Sequence, residues 1–316
     1  MAIIFYLLIV LHVIGGLVII ISKNASRNAK QFSNRLESFV ERFRCGDYES
    51  ALQIAESFDR ESSPWEYWAG RGQALLELGQ LNEAEISLRN AISGGTEVEA
   101  DPGLAPSELA HESTVTEMML LGELNLERAE FDDAFRCFEE VLSVCPENAP
   151  SLRNMAELYL RRGDAPGQAL RWATFAVKAA RKTLPFSEVS DSALISPAIG
   201  LELGEALATL AWATAYSQGE KGRVVELASE AVALVDHRWV LESARIYTHL
   251  GMAYAVLREC DTGLQYFNQA VHIDPQGRQG RTAQKALRSI ESCDGKLSET
   301  SIDSPLKSHR IRNPVI

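Results

Sequence analysis

The chain has 316 residues, 46% hydrophobic and 23% charged, a balance normal for a folded protein with room for one large domain or two ordinary ones. Its net charge of −12 is uneven: residues 1–35 hold four basic side chains and no acid, residues 277–316 hold eight basic against four acidic, and removing these two +4 ends leaves 36–276 at −20. An acidic middle argues against nucleic acid, which needs clustered positive charge. It fits either plain solubility of a long surface or a preference for basic partners.

Residues 2–22 form a 21-residue stretch with no formal charge beyond whatever His12 carries. That is long enough to cross roughly 30 Å of hydrocarbon as a helix, so 1–22 reads as a single transmembrane helix. A cleaved signal peptide is the alternative, but the basic start and the small-x-small cleavage site are missing. A lipoprotein reading fails because the first cysteine, Cys45, lies far beyond the apolar run. Lys23, Arg27, Lys30 and Arg35 follow the span and make 23–35 a basic juxtamembrane linker. They place the bulk of the chain in the cytoplasm and the short N-terminus outside, in a single-pass topology like that of a bacterial inner-membrane protein.

From residue 36 to 276 the chain repeats. Gly46, Tyr48, Ala51, Ala55 and Phe58 form a turn and a helix face, with Phe39 ahead of them. Trp68, Gly72, Leu75, Gly79, Leu81, Ala84, Leu88 and Ala91 repeat the pattern, and Gly46 to Gly79 is 33 positions. Met118, Leu121, Gly122, Phe131, Ala134, Phe138, Val141 and Pro146 form a third unit. Leu152, Met155, Ala156, Tyr159, Gly163, Ala169, Ala173 and Ala176 form a fourth. A fifth is weaker, opening on Ala213, Tyr216 and Gly219, closing on Ala228 and Ala231, with an imperfect turn around Gly222. The best preserved runs Tyr247, Leu250, Gly251, Tyr254, Gly263, Phe267, Ala270 and Pro275. Spacings of three and four put each set on one helical face, and the small residues mark helix crossings. Segments 93–108 and 182–200, rich in Gly, Pro or Ser, interrupt the period. Residues 277–293 carry an apolar face that caps the array, and 294–316 read as a disordered tail.

These spacings resemble the tetratricopeptide (TPR) repeat, two antiparallel helices in about 34 residues. The resemblance implies an all-α fold, a right-handed superhelical solenoid of about six helix pairs. It also implies a concave surface built from the first helix of each unit, where a protein or peptide partner binds. By that resemblance the groove positions are Gln73, Glu77, Glu123, Glu127, Arg153, Glu157, Arg161, Thr248 and Met252. They do not reproduce the lysine and asparagine clamp of chaperone-binding TPR domains.

Chemistry leaves little trace. The histidines show no H-E-x-x-H spacing, and neither a phosphate-binding glycine loop nor a G-x-S-x-G elbow is present. Five cysteines, Cys45, Cys137, Cys145, Cys260 and Cys293, form no Cys-x-x-Cys pair and fit a reducing compartment. The expectation is therefore no enzyme, no cofactor, no metal and no small-molecule substrate. The layout is similar to bacterial inner-membrane TPR scaffolds of envelope assembly, without the metal-binding cysteine module that some of those carry. Two alternatives stay open: a periplasmic or secreted peptide-binding assembly factor with a cleaved or outward-translocating N-terminus, and a divergent enzyme.

Overall fold

The computed structural model describes residues 30–31, 33–58, 64–93, 115–183 and 197–298. The expected transmembrane helix, most of the basic linker, the bulk of both interruptions and the end of the tail lie outside them. Among the described residues no helix is long and apolar enough to cross a membrane.

The described residues form thirteen helices and no strand. Helix α1 covers residues 33–44. It is followed by α2 Tyr48–Glu56, α3 Pro64–Leu78, α4 Leu81–Ile92, α5 Val115–Glu127, α6 Phe131–Val144 and α7 Ala149–Arg162. Next come α8 Pro166–Lys182, α9 Pro197–Gln218, α10 Lys221–Val232, α11 Val240–Val256, α12 Cys260–Ile273 and α13 Arg278–Ser298. Each odd helix packs on the next to make a hairpin, and α13 packs on α12 and α11. Helices α3, α5, α7, α9, α11 and α13 touch in sequence and form an inner row. The even helices form the outer row.

Sequence dictates the hairpins locally. Asp47 caps α2 by accepting a hydrogen bond from the Ser50 N–H at 3.2 Å, and Asn148 caps α7 through the Ser151 N–H at 2.9 Å. Pro166 opens α8, where its missing N–H costs nothing. Every hairpin turns on one residue in the left-handed region: Gly46, Gly79, Ala129, Gly163, Gly219 and Arg258, with φ between 60° and 77°. In the fifth pair this corrects the expectation of a turn around Gly222. Gly219 turns the chain at φ 67°, and Gly222 lies inside α10 with open space where a Cβ would be.

Within hairpins the small-residue rule is steric. A Cβ on Gly251 would stand 2.6 Å from the Phe267 ring, and one on Gly122 would collide with Phe138. Phe39, large where a small residue is usual, fits because Ala55 and Gly70 leave it room. Helix α13 runs to Ser298, five residues beyond the expected cap, with Ala283 and Ala286 buried against the last hairpin.

Candidate functional site

The odd helices carry charge at four-residue intervals on the side facing the centre of the row: Glu77 on α3, Glu123 and Glu127 on α5, Arg153, Glu157 and Arg161 on α7, Glu205 on α9, Arg245 and His249 on α11. Residues one turn apart share a helix face. Each helix therefore presents its charges to the same space, and the structure brings them into contact.

Glu123 is the hub. One oxygen accepts from Asn154 Nδ2 at 3.0 Å and lies 3.6 Å from Arg153 Nη2. The other meets Arg245 Nη2 at 3.4 Å and Arg278 Nη2 in a short ion pair. Arg245 also reaches Glu205 at 3.0 Å, and Arg278 reaches Glu77 at 3.1 Å. A second group lies beside it: Arg161 bridges Glu157 at 2.7 Å and Glu127 at 3.1 Å, while His249 Nε2 stands 3.5 Å from Glu157. The Thr209 hydroxyl lies 2.9 Å from His249 Nδ1. A neutral ring with its proton on Nε2 donates to Glu157 and leaves Nδ1 to accept from the Thr209 hydroxyl, for whose single proton the Glu205 carbonyl at 2.9 Å competes.

Most of this network is out of water. Glu77, Glu123, Arg153, Glu157, Glu205, Arg245, His249 and Arg278 are all buried. Isolated buried charge is very unfavourable, so only mutual pairing makes such burial tolerable. Burial alone pushes the Glu123 carboxyl upward, but the guanidiniums of Arg245, Arg278 and Arg153 outweigh it and hold the carboxyl well below the usual range. For Glu77 burial wins over Arg278, and its carboxyl is raised. Burial also lowers His249 despite Glu157. Glu242, at the start of α11, is pushed up to about 7 by burial and by Glu205.

The expected groove residues thus divide. Glu77, Glu123, Arg153 and Glu157 are buried in the network, and Arg161 and Glu127 sit at its edge with about a tenth and a sixth of their side chains exposed. Gln73 is half-buried one turn earlier on α3. Thr248 and Met252 face elsewhere. Thr248 donates to the Ala244 carbonyl at 2.8 Å and approaches the Gln279 carbonyl at 3.4 Å, and Met252 joins the large apolar cluster. The inner face is consequently closed over by its own side chains where an open groove was expected.

Sequence reasoning missed Glu205, Arg245, His249 and Arg278. The available signal was the four-residue rhythm itself: Arg245 and His249 repeat on α11 the spacing of Glu123 and Glu127. Among the described residues no group of three or more His, Cys, Asp or Glu is placed to hold a metal ion. Cys137 is buried beside Asn125, and burial pushes its thiol up to about 12.

A tetratricopeptide repeat family model matches residues 66–93, the α3–α4 hairpin. The chain has a TPR-type helical repeat fold. No curated protein matches the sequence. Solved structures similar to it include PilF of Pseudomonas aeruginosa, with 15% identity, TM-score 0.40, and coverage of 80% of this chain and 96% of that one. BtubC from P. vanneervenii shows 12% identity, TM-score 0.43, and coverage of 85% and 96%. Yeast Tom70 shows 17% identity, TM-score 0.40, and coverage of 81% and 50%.

Proposed function

We propose that this chain is a membrane-tethered scaffold that binds protein partners through the inner row of its helical array and serves the assembly of a membrane complex. One observation carries the reading: successive first helices direct charged side chains into one shared space, which reaches solvent at the edge formed by Glu127 and Arg161. TPR-type arrays are suited to this work because stacked repeats make an extended, addressable surface. Residues 2–22 supply the tether, and the basic residues after them favour a cytoplasmic array.

The test has two arms. A photo-crosslinking residue at Glu127, on the partly exposed edge of the inner face, is expected to capture a discrete protein in native membranes, whereas the same probe at exposed Phe175 on α8 is not. Loss of that difference removes the inner-face reading. A reporter fused after Ile316 is expected to be active on the cytoplasmic side, and activity on the outer side alone would replace the topology with that of an outward-facing assembly factor.

A further inference from the structure

The row of inner helices closes on itself, and buried ion pairs line the closure beside the packing of Val240 on Gly46 and the stacking of Arg44 over the Trp239 ring. Among the described residues no apolar cluster contains both a residue of α1–α4 and one of α11–α13. Across the seam, Arg278 Nη2 bonds Glu77 and Glu123, the Arg278 N–H donates to Glu77 at 3.3 Å, and Arg281 Nη1 donates to the Glu77 carbonyl at 2.8 Å. Arg281 also lies against Gly79, where a Cβ would sit 2.9 Å from its guanidinium. These contacts come from the α12–α13 turn and the first residues of α13.

That turn is shaped for the role. Asp274 accepts from the Gly277 N–H at 2.9 Å, and Gly280 passes so close to the Asp274 carbonyl that no Cβ fits between them. Yet the seam is imperfectly satisfied. Arg278 Nε is buried without a hydrogen-bond partner, while the Tyr48 hydroxyl on α2 and the Asp274 carboxylate interact with each other across the seam. An unpaired buried donor is disfavoured, which weakens the closed form relative to an open one in which water reaches it.

Without Arg278, the inner face presents Glu77, Glu123, Glu127, Glu157 and Glu205 against Arg153, Arg161 and Arg245, an excess of negative charge. Glu77 and Glu123 come from different helices and converge on one nitrogen of a buried guanidinium, whose delocalised and weakly hydrated charge is carried out of water more readily than that of an ammonium. Building on the scaffold reading above, we propose that Glu77 and Glu123 form a seat for an arginine side chain. The turn around Arg278 occupies the seat in cis, and an arginine-bearing segment of a protein partner takes it in trans by opening the seam.

The experiment uses the full chain in nanodiscs and a labelled peptide of sequence 273–283, with fluorescence anisotropy as readout. A tethered competitor acts at an effective concentration in the millimolar range, so a peptide with an intrinsic Kd of about 100 μM is expected to gain about tenfold when the tether is released. Arg278→Ala with Arg281→Ala releases it; adding Glu77→Gln is expected to abolish the gain, as is replacing the peptide's first arginine by alanine. A released variant that keeps its helical circular dichroism yet binds no better than wild type overturns the proposal, as does equal binding of the alanine peptide. Should the double variant lose its helicity, Arg278→Lys takes its place under the same criteria, because it keeps the charge but places it on a more strongly hydrated ammonium that leaves the buried seat more easily. Photo-crosslinking at Glu127 in the same variant separates the two readings: a captured partner with no peptide gain removes only the arginine seat, whereas failure of both removes the scaffold reading as well.

Discussion

Arg278 and Glu77 are 201 positions apart and share an ion pair of 3.1 Å together with a hydrogen bond from the Arg278 backbone N–H at 3.3 Å. This contact turns a row of hairpins into a closed arrangement, because it joins the helix after the last hairpin to the first helix of the second. It also explains why the carboxylates of the inner face are buried where repeat spacing alone would leave them facing solvent.

Glu123 should be the most sensitive polar position in the chain. Replacing it by Gln leaves Arg153, Arg245 and Arg278 without their shared counter-charge in a dry setting. Removing one partner of a buried ion pair costs about 3–5 kcal/mol, and a drop of that size is expected in urea denaturation of the variant. An unchanged midpoint would mean that water reaches the network.

Gly251→Ala and Gly122→Ala should each destabilise by about 1–3 kcal/mol, because the new methyl group meets the Phe267 or Phe138 ring inside a packed hairpin. Gly222→Ala, a glycine-to-alanine change on an open helix surface, should instead stabilise by about 0.5–1 kcal/mol. The opposite signs, read from thermal melts, separate crowding from helix propensity.

Ala129 and Arg258 hold the left-handed turn position that glycine holds in the other hairpins, at φ 60° and 62°. A side chain there costs roughly 1–2 kcal/mol, partly offset by the greater freedom of glycine in the unfolded chain. Ala129→Gly and Arg258→Gly should therefore each raise the melting temperature, and a fall would show that other contacts of these side chains matter more than backbone strain.

The Glu242 carboxyl sits at about 7 when folded, against 4.5 for an ordinary glutamate. The folded state thus holds a proton that the unfolded state has lost. The contribution of Glu242 to stability is complete below pH 4.5 and is lost as pH rises to 7. Glu242→Gln should flatten the decline of stability across that window, a difference on the order of 3 kcal/mol at pH 7 at most. A profile identical to wild type would place Glu242 in water.

The sequence by itself determined the hairpins. Gly251 opposite Phe267, Ala84 beside Leu88 and the left-handed glycines are local in sequence, and helix periodicity with small residues at crossings is a short-range code. The fifth pair was legible only in part, because α9 is longer than the repeat and shifts its charged residue, Glu205, away from the position that spacing predicts. The first helices were identifiable as the inner row, but the fate of their charges was not. Whether Glu77 and Glu123 meet water or a guanidinium depends on how small rotations between successive hairpins accumulate over the array. Those rotations arise from packing between hairpins, and only the tertiary structure decided that they bring Arg278 back to Glu77.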